Sequence, residues 1–182
     1  MDACDTDRIA GRIVAVLSNR SKAFGLTRAR QADIPTEVAT FGPYKERADG
    51  RGAYDADLAE RVAAYAPDII VLAGFMRILS GRFLGAFPGQ VINLHPALPG
   101  EYPGLNAIER AWHDAQEGMR NHTGIMVHEV IEEVDAGPVL GTATIAIEPG
   151  MSLDDLETEV HRAEHRLLVD VVAQRCVSLS AP

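Results

Sequence analysis

Cysteine is nearly absent: Cys4 and Cys176 are the two in 182 residues, far apart and without a CxxC spacing. A disulfide framework or a cysteine-built metal module is thereby excluded, and a reduced, cytoplasmic setting is expected. Positive charge is in short supply, with 17 Lys and Arg against 26 Asp and Glu and a net charge of −9. That balance opposes a sequence-independent grip on nucleic acid or anionic lipid. No apolar run approaches the roughly 18 residues a membrane span needs. The opening MDACDTDRIAGR has no apolar stretch of the kind export requires. No GxGxxG and no GxxxxGK[ST] occurs, so neither a dinucleotide fingerprint nor a P-loop is present. Repeats, low-complexity tracts and Pro/Gly/Ser-rich linkers are missing too, so residues 1–182 read as one domain. A chain this long buries about 70% of its unfolded surface and needs no staples.

What is present is alternation. Residues 13–17 form a short apolar run, residues 23–32 read as a helix, and a strand follows at 36–40. Residues 54–65 place Leu58, Val62 and Tyr65 on one helical face. Residues 68–73 are continuously apolar after Asp68, the mark of a parallel strand covered on both faces. Residues 91–95 make another strand running into the Pro/Gly-rich loop 96–104, with a helix at 107–117 and strands at 124–130 and 138–147. The last helix opens at Ser152 with Asp155 three residues on, a capping-box-like start. Its inward stripe is Leu156, Val160, Ala163, Leu167 and Val171. Such alternation predicts an α/β domain with a doubly wound, mostly parallel sheet. Ligands of these sheets sit beyond the carboxyl ends of the strands, which points at Asn93, Leu94 and His95.

Asn93 and His95 are two apart on a strand, so their side chains leave one face. One reading is a strand that has ended at a wet tip. The other is an acyl-transfer site, in which an amide stabilises an oxyanion and an imidazole moves a proton. Asp135, at the turn Val134-Asp135-Ala136-Gly137-Pro138, supplies the carboxylate such a histidine needs.

The run His161-Arg162-Ala163-Glu164-His165 fits the H-x-x-E-H zinc pattern. No third ligand is evident, and a solvated helix face opposite the apolar stripe is the favoured reading. His113, His122 and Trp112 carry no readable chemistry, and Cys176 reads as a spectator in a tail after the last helix.

The segments Phe75-Met76-Arg77-Ile78-Leu79-Ser80, Asn93-Leu94-His95-Pro96, Tyr102-Pro103-Gly104-Leu105 and Asp135-Ala136-Gly137-Pro138 occur together at characteristic separations. In this the chain resembles the phosphoribosylglycinamide formyltransferase family from residue 1 to about residue 174. The resemblance implies the Rossmann-like formyltransferase fold. It also implies transfer of a formyl group from 10-formyltetrahydrofolate, a co-substrate, to the amine of a ribonucleotide in purine synthesis, without a metal. Alternatives are a folate-binding remnant without transfer, or a formyltransferase or deformylase with another acceptor. By position Asn93, His95 and Asp135 resemble the catalytic trio, with Asp135 keeping His95 charged. Met76, Arg77, Ile78 and Leu79, with Glu133, Val134 and Asp135, resemble the walls of the folate pocket. Arg51, Gly104 and Glu164 match positions that serve the ribonucleotide. Small molecules are the implied partners; oligomeric state is unreadable.

Three departures stand out. The loop reads His95-Pro96-Ala97-Leu98-Pro99-Gly100 where the family reads His-Pro-Ser-Leu-Leu-Pro, and Met126 replaces a small hydroxyl residue. Residues 1–20 align with the run into the family's second strand. The expectation is therefore a domain shortened at its N-terminus, without the first βα unit and its phosphate loop. The strands at 13–17 and 69–73 would then face an open slot, leaving the chain marginal or prone to aggregate.

Overall fold

A computed structural model describes residues 1–180. In chain order the elements are α1 (Asp2–Asp5), β1 (Val16–Ser18), α2 (Phe24–Gln31), β2 (Thr36–Val38), a 3₁₀ turn (Gly42–Tyr44), α3 (Gly50–Ala63), β3 (Ile70–Leu72), α4 (Gly81–Leu84), β4 (Val91–His95), α5 (Ala107–Gln116), β5 (His122–Glu129), β6 (Val139–Ala146) and α6 (Leu153–Ser180). Strands β1 and β2 pair in parallel as a two-stranded sheet, and β3-β4-β5-β6 form a four-stranded one. The expected parallel pattern holds for β1–β2 and β3–β4. It turns antiparallel at β4–β5 and at β5–β6. The segment joining β5 to β6 is too short for the crossover a parallel return needs.

The structure departs from expectation in three places. Strand β3 is not covered on both faces: Val71 is 38% exposed. Among the described residues β3 pairs with β4 alone, so it is an edge strand. Helix α3 begins four residues before Tyr54, because Asp49 caps it by accepting from the Gly52 N–H at 3.2 Å. Both early glycines are needed there: a Cβ on Gly50 would meet the Tyr44 carbonyl, and one on Gly52 would lie 2.5 Å from the capping carboxylate. Cys176 lies inside α6 rather than beyond it, since that helix runs unbroken to Ser180.

Three apolar clusters hold these elements. One packs Tyr54, Leu58 and Val62 of α3 against Phe83, Phe87 and Val91. A second sets Leu156 and Val160 of α6 on Ile125 of β5, and a third sets Val171 on Ile92 and Val127. Each fully buried side chain of this size stabilises by about 1.5–3 kcal/mol. The α6 stripe is thus as read, and its start is capped reciprocally. The Ser152 hydroxyl donates to Asp155 at 2.6 Å and accepts from the Asp155 N–H at 3.2 Å. Thr123 through Val127 are all buried, which makes β5 the covered centre against which β4 presents its last residues.

Candidate active site

Register decides which side chains meet. Asn93 of β4 stands opposite His128 of β5, and His95 stands opposite Met126. His128 is 2% exposed. Its Nδ1 lies 2.8 Å from the Glu129 carbonyl, which only accepts, so Nδ1 carries the proton. The Asn93 amide nitrogen lies 3.2 Å from its Nε2. Sequence reading passed over His128 as a site residue. Its position opposite Asn93 was the available signal, and that needs the register.

Asp135 closes the group from the β5–β6 loop. Its backbone is left-handed, with φ 53°. Gly137 makes the tight return, because a Cβ there would run into the Glu129 carbonyl. One carboxylate oxygen of Asp135 lies 3.3 Å from His95 Nδ1 and accepts from the Gly104 N–H at 2.9 Å. The other accepts from the Asn93 amide at 3.4 Å and lies 3.6 Å from His128 Nε2. Burial alone would push the Asp135 carboxyl up, but His128, the Gly104 N–H and His95 outweigh it and hold it below 3.8. Asp135 is ionised at neutral pH.

Burial works against the charged ring expected of His95. It is 3% exposed, and burial lowers its basicity below the ordinary 6.5. Asp135 and the backbone of Glu101 and Tyr102 favour the charged ring without overcoming that loss of hydration. The resting imidazole is therefore neutral, with Nδ1–H turned to Asp135. Nε2 is buried and has no hydrogen-bond partner. A buried lone pair without a donor is an unmet demand for one.

The other expected residues divide. Met76 and Ile78 are 65% and 54% exposed and offer apolar surface. Arg77 is occupied: its guanidinium lies 3.9 Å from the Phe41 ring centroid and 5.2 Å from that of Tyr54. Leu79 is 3% exposed and belongs to the core under α3. Glu133 and Val134 are exposed on the Asp135 loop. Arg51 donates to the Ile78 carbonyl at 3.0 Å, tying α3 to the 76–79 segment. Arg51, Leu79, Ser80, Arg82 and Glu132 line an open cavity of about 500 Å³, beside the trio rather than on it. Gly104 adopts φ 83° and aims its N–H at Asp135. Glu164 is not bonded to the trio; on α6 its carboxylate lies 3.9 Å from His161 Nε2, and burial raises its pKa. Among the described residues no group of three His, Cys, Asp or Glu is placed to hold a metal. Met126, 1% exposed, packs in the core and makes no polar contact.

The formyl transferase family model matches residues 1–172. The chain belongs to the formyl transferase family. It is 43% identical over 181 residues to the phosphoribosylglycinamide formyltransferase of Dictyostelium discoideum, covering 94% of this chain and 88% of that one. Against the Escherichia coli protein of the same name it is 42% identical over 173 residues, covering 95% and 78%. Among solved structures it is similar to glycinamide ribonucleotide transformylase 1 from Symbiobacterium toebii, at TM-score 0.88 and 36% identity, over 97% of this chain and 80% of that one. The α/β formyltransferase fold expected from the motifs is thus the fold this family member has.

Proposed function

We propose that the chain moves a formyl group from 10-formyltetrahydrofolate to the amine of 5'-phosphoribosylglycinamide in purine biosynthesis, with Asn93, His95 and Asp135 as its reacting groups. The observation that carries the reading is the buried, partnerless Nε2 of His95, whose other nitrogen is turned to an ionised carboxylate. The folate supplies an electrophilic formyl carbon. Everything else falls to the protein.

A neutral His95 suits a base. As the amine attacks, Nε2 takes the proton the nitrogen must lose, and the imidazolium formed lies 3.3 Å from Asp135. Positive charge then appears beside the oxygen on which negative charge develops. Asn93 adds a second donor by giving up its long 3.4 Å bond to Asp135, while its bond to His128 keeps the amide oriented. Asp135 also orients a water that carries the proton on to the departing folate nitrogen. Such acid–base work supplies about 10²–10⁴-fold in rate.

The surroundings suit both small molecules. Exposed Met76, Ile78 and Val134 offer apolar cover for a flat ring, with Arg77, Leu79 and Glu133 shaping the segments that present them. Arg51 and Glu164 serve the ribonucleotide, and Gly104 serves it through Asp135. No helix among the described residues is long and apolar enough to cross a membrane. A net charge of −9 keeps nucleic acid away, and a cytoplasmic site of action fits this chemistry.

The test is to supply folate carrying a labelled formyl group, with and without the ribonucleotide, and to follow the label. Its appearance on the glycinamide nitrogen supports the reading. Its release as formate at equal rate with and without the amine would make the protein a hydrolase and overturn it.

A further inference from the structure

The motif Tyr102-Pro103-Gly104-Leu105 gives the trio one N–H, that of Gly104. The loop it belongs to is unusual in its backbone. Gly100, Tyr102, Gly104 and Asn106 all have positive φ, at 80°, 45°, 83° and 58°. For tyrosine that conformation costs energy, so the surroundings must impose it.

They do so through charged groups outside the trio. The Tyr102 hydroxyl donates to Asp114 on α5. The guanidinium carbons of Arg120 and Arg110 lie 4.7 and 5.1 Å from the Tyr102 ring centroid. Arg120 also forks onto the Glu101 carboxylate at 2.9 and 3.0 Å, and Arg110 donates to the Pro103 carbonyl at 3.0 Å. Burial and the bond to Asp114 push the Tyr102 phenol up to about 12, so it stays a donor at any working pH. Three consecutive residues, 101 to 103, are thereby pinned to α5 and the segment after it. Their backbone is what borders His95, and the next N–H is the one Asp135 accepts.

We infer that Tyr102, gripped by Asp114, Arg110 and Arg120, is a positioning residue for formyl transfer: it holds the 101–104 backbone so that Gly104 stays on Asp135 and water stays off His95. This rests on the proposed function for its turnover readout. Its structural half does not. Tyr102 touches no member of the trio by its side chain, and among the described residues the titratable groups that act most on His95 are Asp135 and His128. Loosening the loop therefore acts on His95 through lost burial and a weakened Asp135. Burial is the largest influence on the ring, so its titration moves up toward 6.5.

The experiment compares Tyr102→Phe, Asp114→Ala and Asp114→Asn with wild type in two readouts. The first is the NMR titration of the His95 ring in the ligand-free protein, which needs no substrate. The second is kcat and KM across pH. Tyr102→Phe and Asp114→Ala should each raise the His95 titration midpoint by about half a pH unit. They should lower kcat about 3- to 10-fold with little change in either KM, and move the acid limb of the kcat profile upward. Asp114→Asn keeps an acceptor for the phenol and should restore most of both. If midpoint, limb and kcat stay at wild-type values while only melting temperature falls, Tyr102 is structural and the inference is overturned. If wild type transfers no formyl group but the midpoint shifts as stated, the functional reading fails and the clamp stands.

Discussion

His95 and Asp135 approach to 3.3 Å, yet burial leaves the imidazole less basic than a free one. The pair is consequently charged on one side only at rest. In the proposed reaction, proton uptake by Nε2 would convert it into an ion pair at the moment negative charge appears on the reacting oxygen. An imidazolium formed in advance would have no lone pair to offer the amine.

Both partners tie stability to pH in the same direction. His95 has a folded value below 6.5, so its contribution is fully present above 6.5 and is lost as pH falls through the folded value. Asp135, held below 3.8, contributes above 3.8 and loses that contribution at still lower pH. Urea midpoints measured from about pH 8 down to about pH 4 should fall for wild type. His95→Gln should flatten the curve in the window just below 6.5. Parallel curves for the two proteins would contradict the buried-neutral assignment.

Glu164 carries the opposite sign. Burial raises its carboxyl above 4.5, so its contribution is present below 4.5 and lost as pH rises through the folded value. Glu164→Gln should therefore be more stable than wild type at neutral pH. It should also bind the ribonucleotide more weakly, by about 1.5–3 kcal/mol for a lost hydrogen bond to a charged group. A variant that loses stability and keeps its affinity would show that Glu164 is a structural acid. Zinc should not copurify with wild type, and removing His161 or His165 should leave metal content unchanged.

Strand β3 offers Val71 to solvent and, among the described residues, an unpaired edge. Edges of this kind recruit other strands unless a charge blocks them. Val71→Lys should reduce concentration-dependent association seen by light scattering, with a melting temperature close to wild type. Unchanged association would place the sticky surface elsewhere.

Much of this fold was legible because its signals are local. The strand Val91–His95 and the Ser152 cap are found where pattern and capping chemistry place them. So are Asn93, His95 and Asp135, which the fold brings within hydrogen-bond range from two separate segments. What stayed hidden depends on neighbours distant in sequence. His128 gains its meaning only from standing opposite Asn93. Val71 reads from its apolar run as covered on both faces, yet it is 38% exposed, because what packs over a strand is set by elements distant in sequence. The start of α3 was masked by two glycines whose purpose is close approach to Tyr44 and Asp49, against their poor helix propensity. For His95 the nearby carboxylate can be read from sequence, whereas the burial that opposes it cannot.

The most direct test of the account is single-turnover formyl transfer by His95→Asn and Asp135→Asn, with folate binding measured in parallel. The proposed pocket walls are mostly other residues, so both variants should bind reduced folate within a few-fold of wild type while transfer falls about 10²–10⁴-fold. Near-normal transfer by either variant, with folate binding intact, would contradict it.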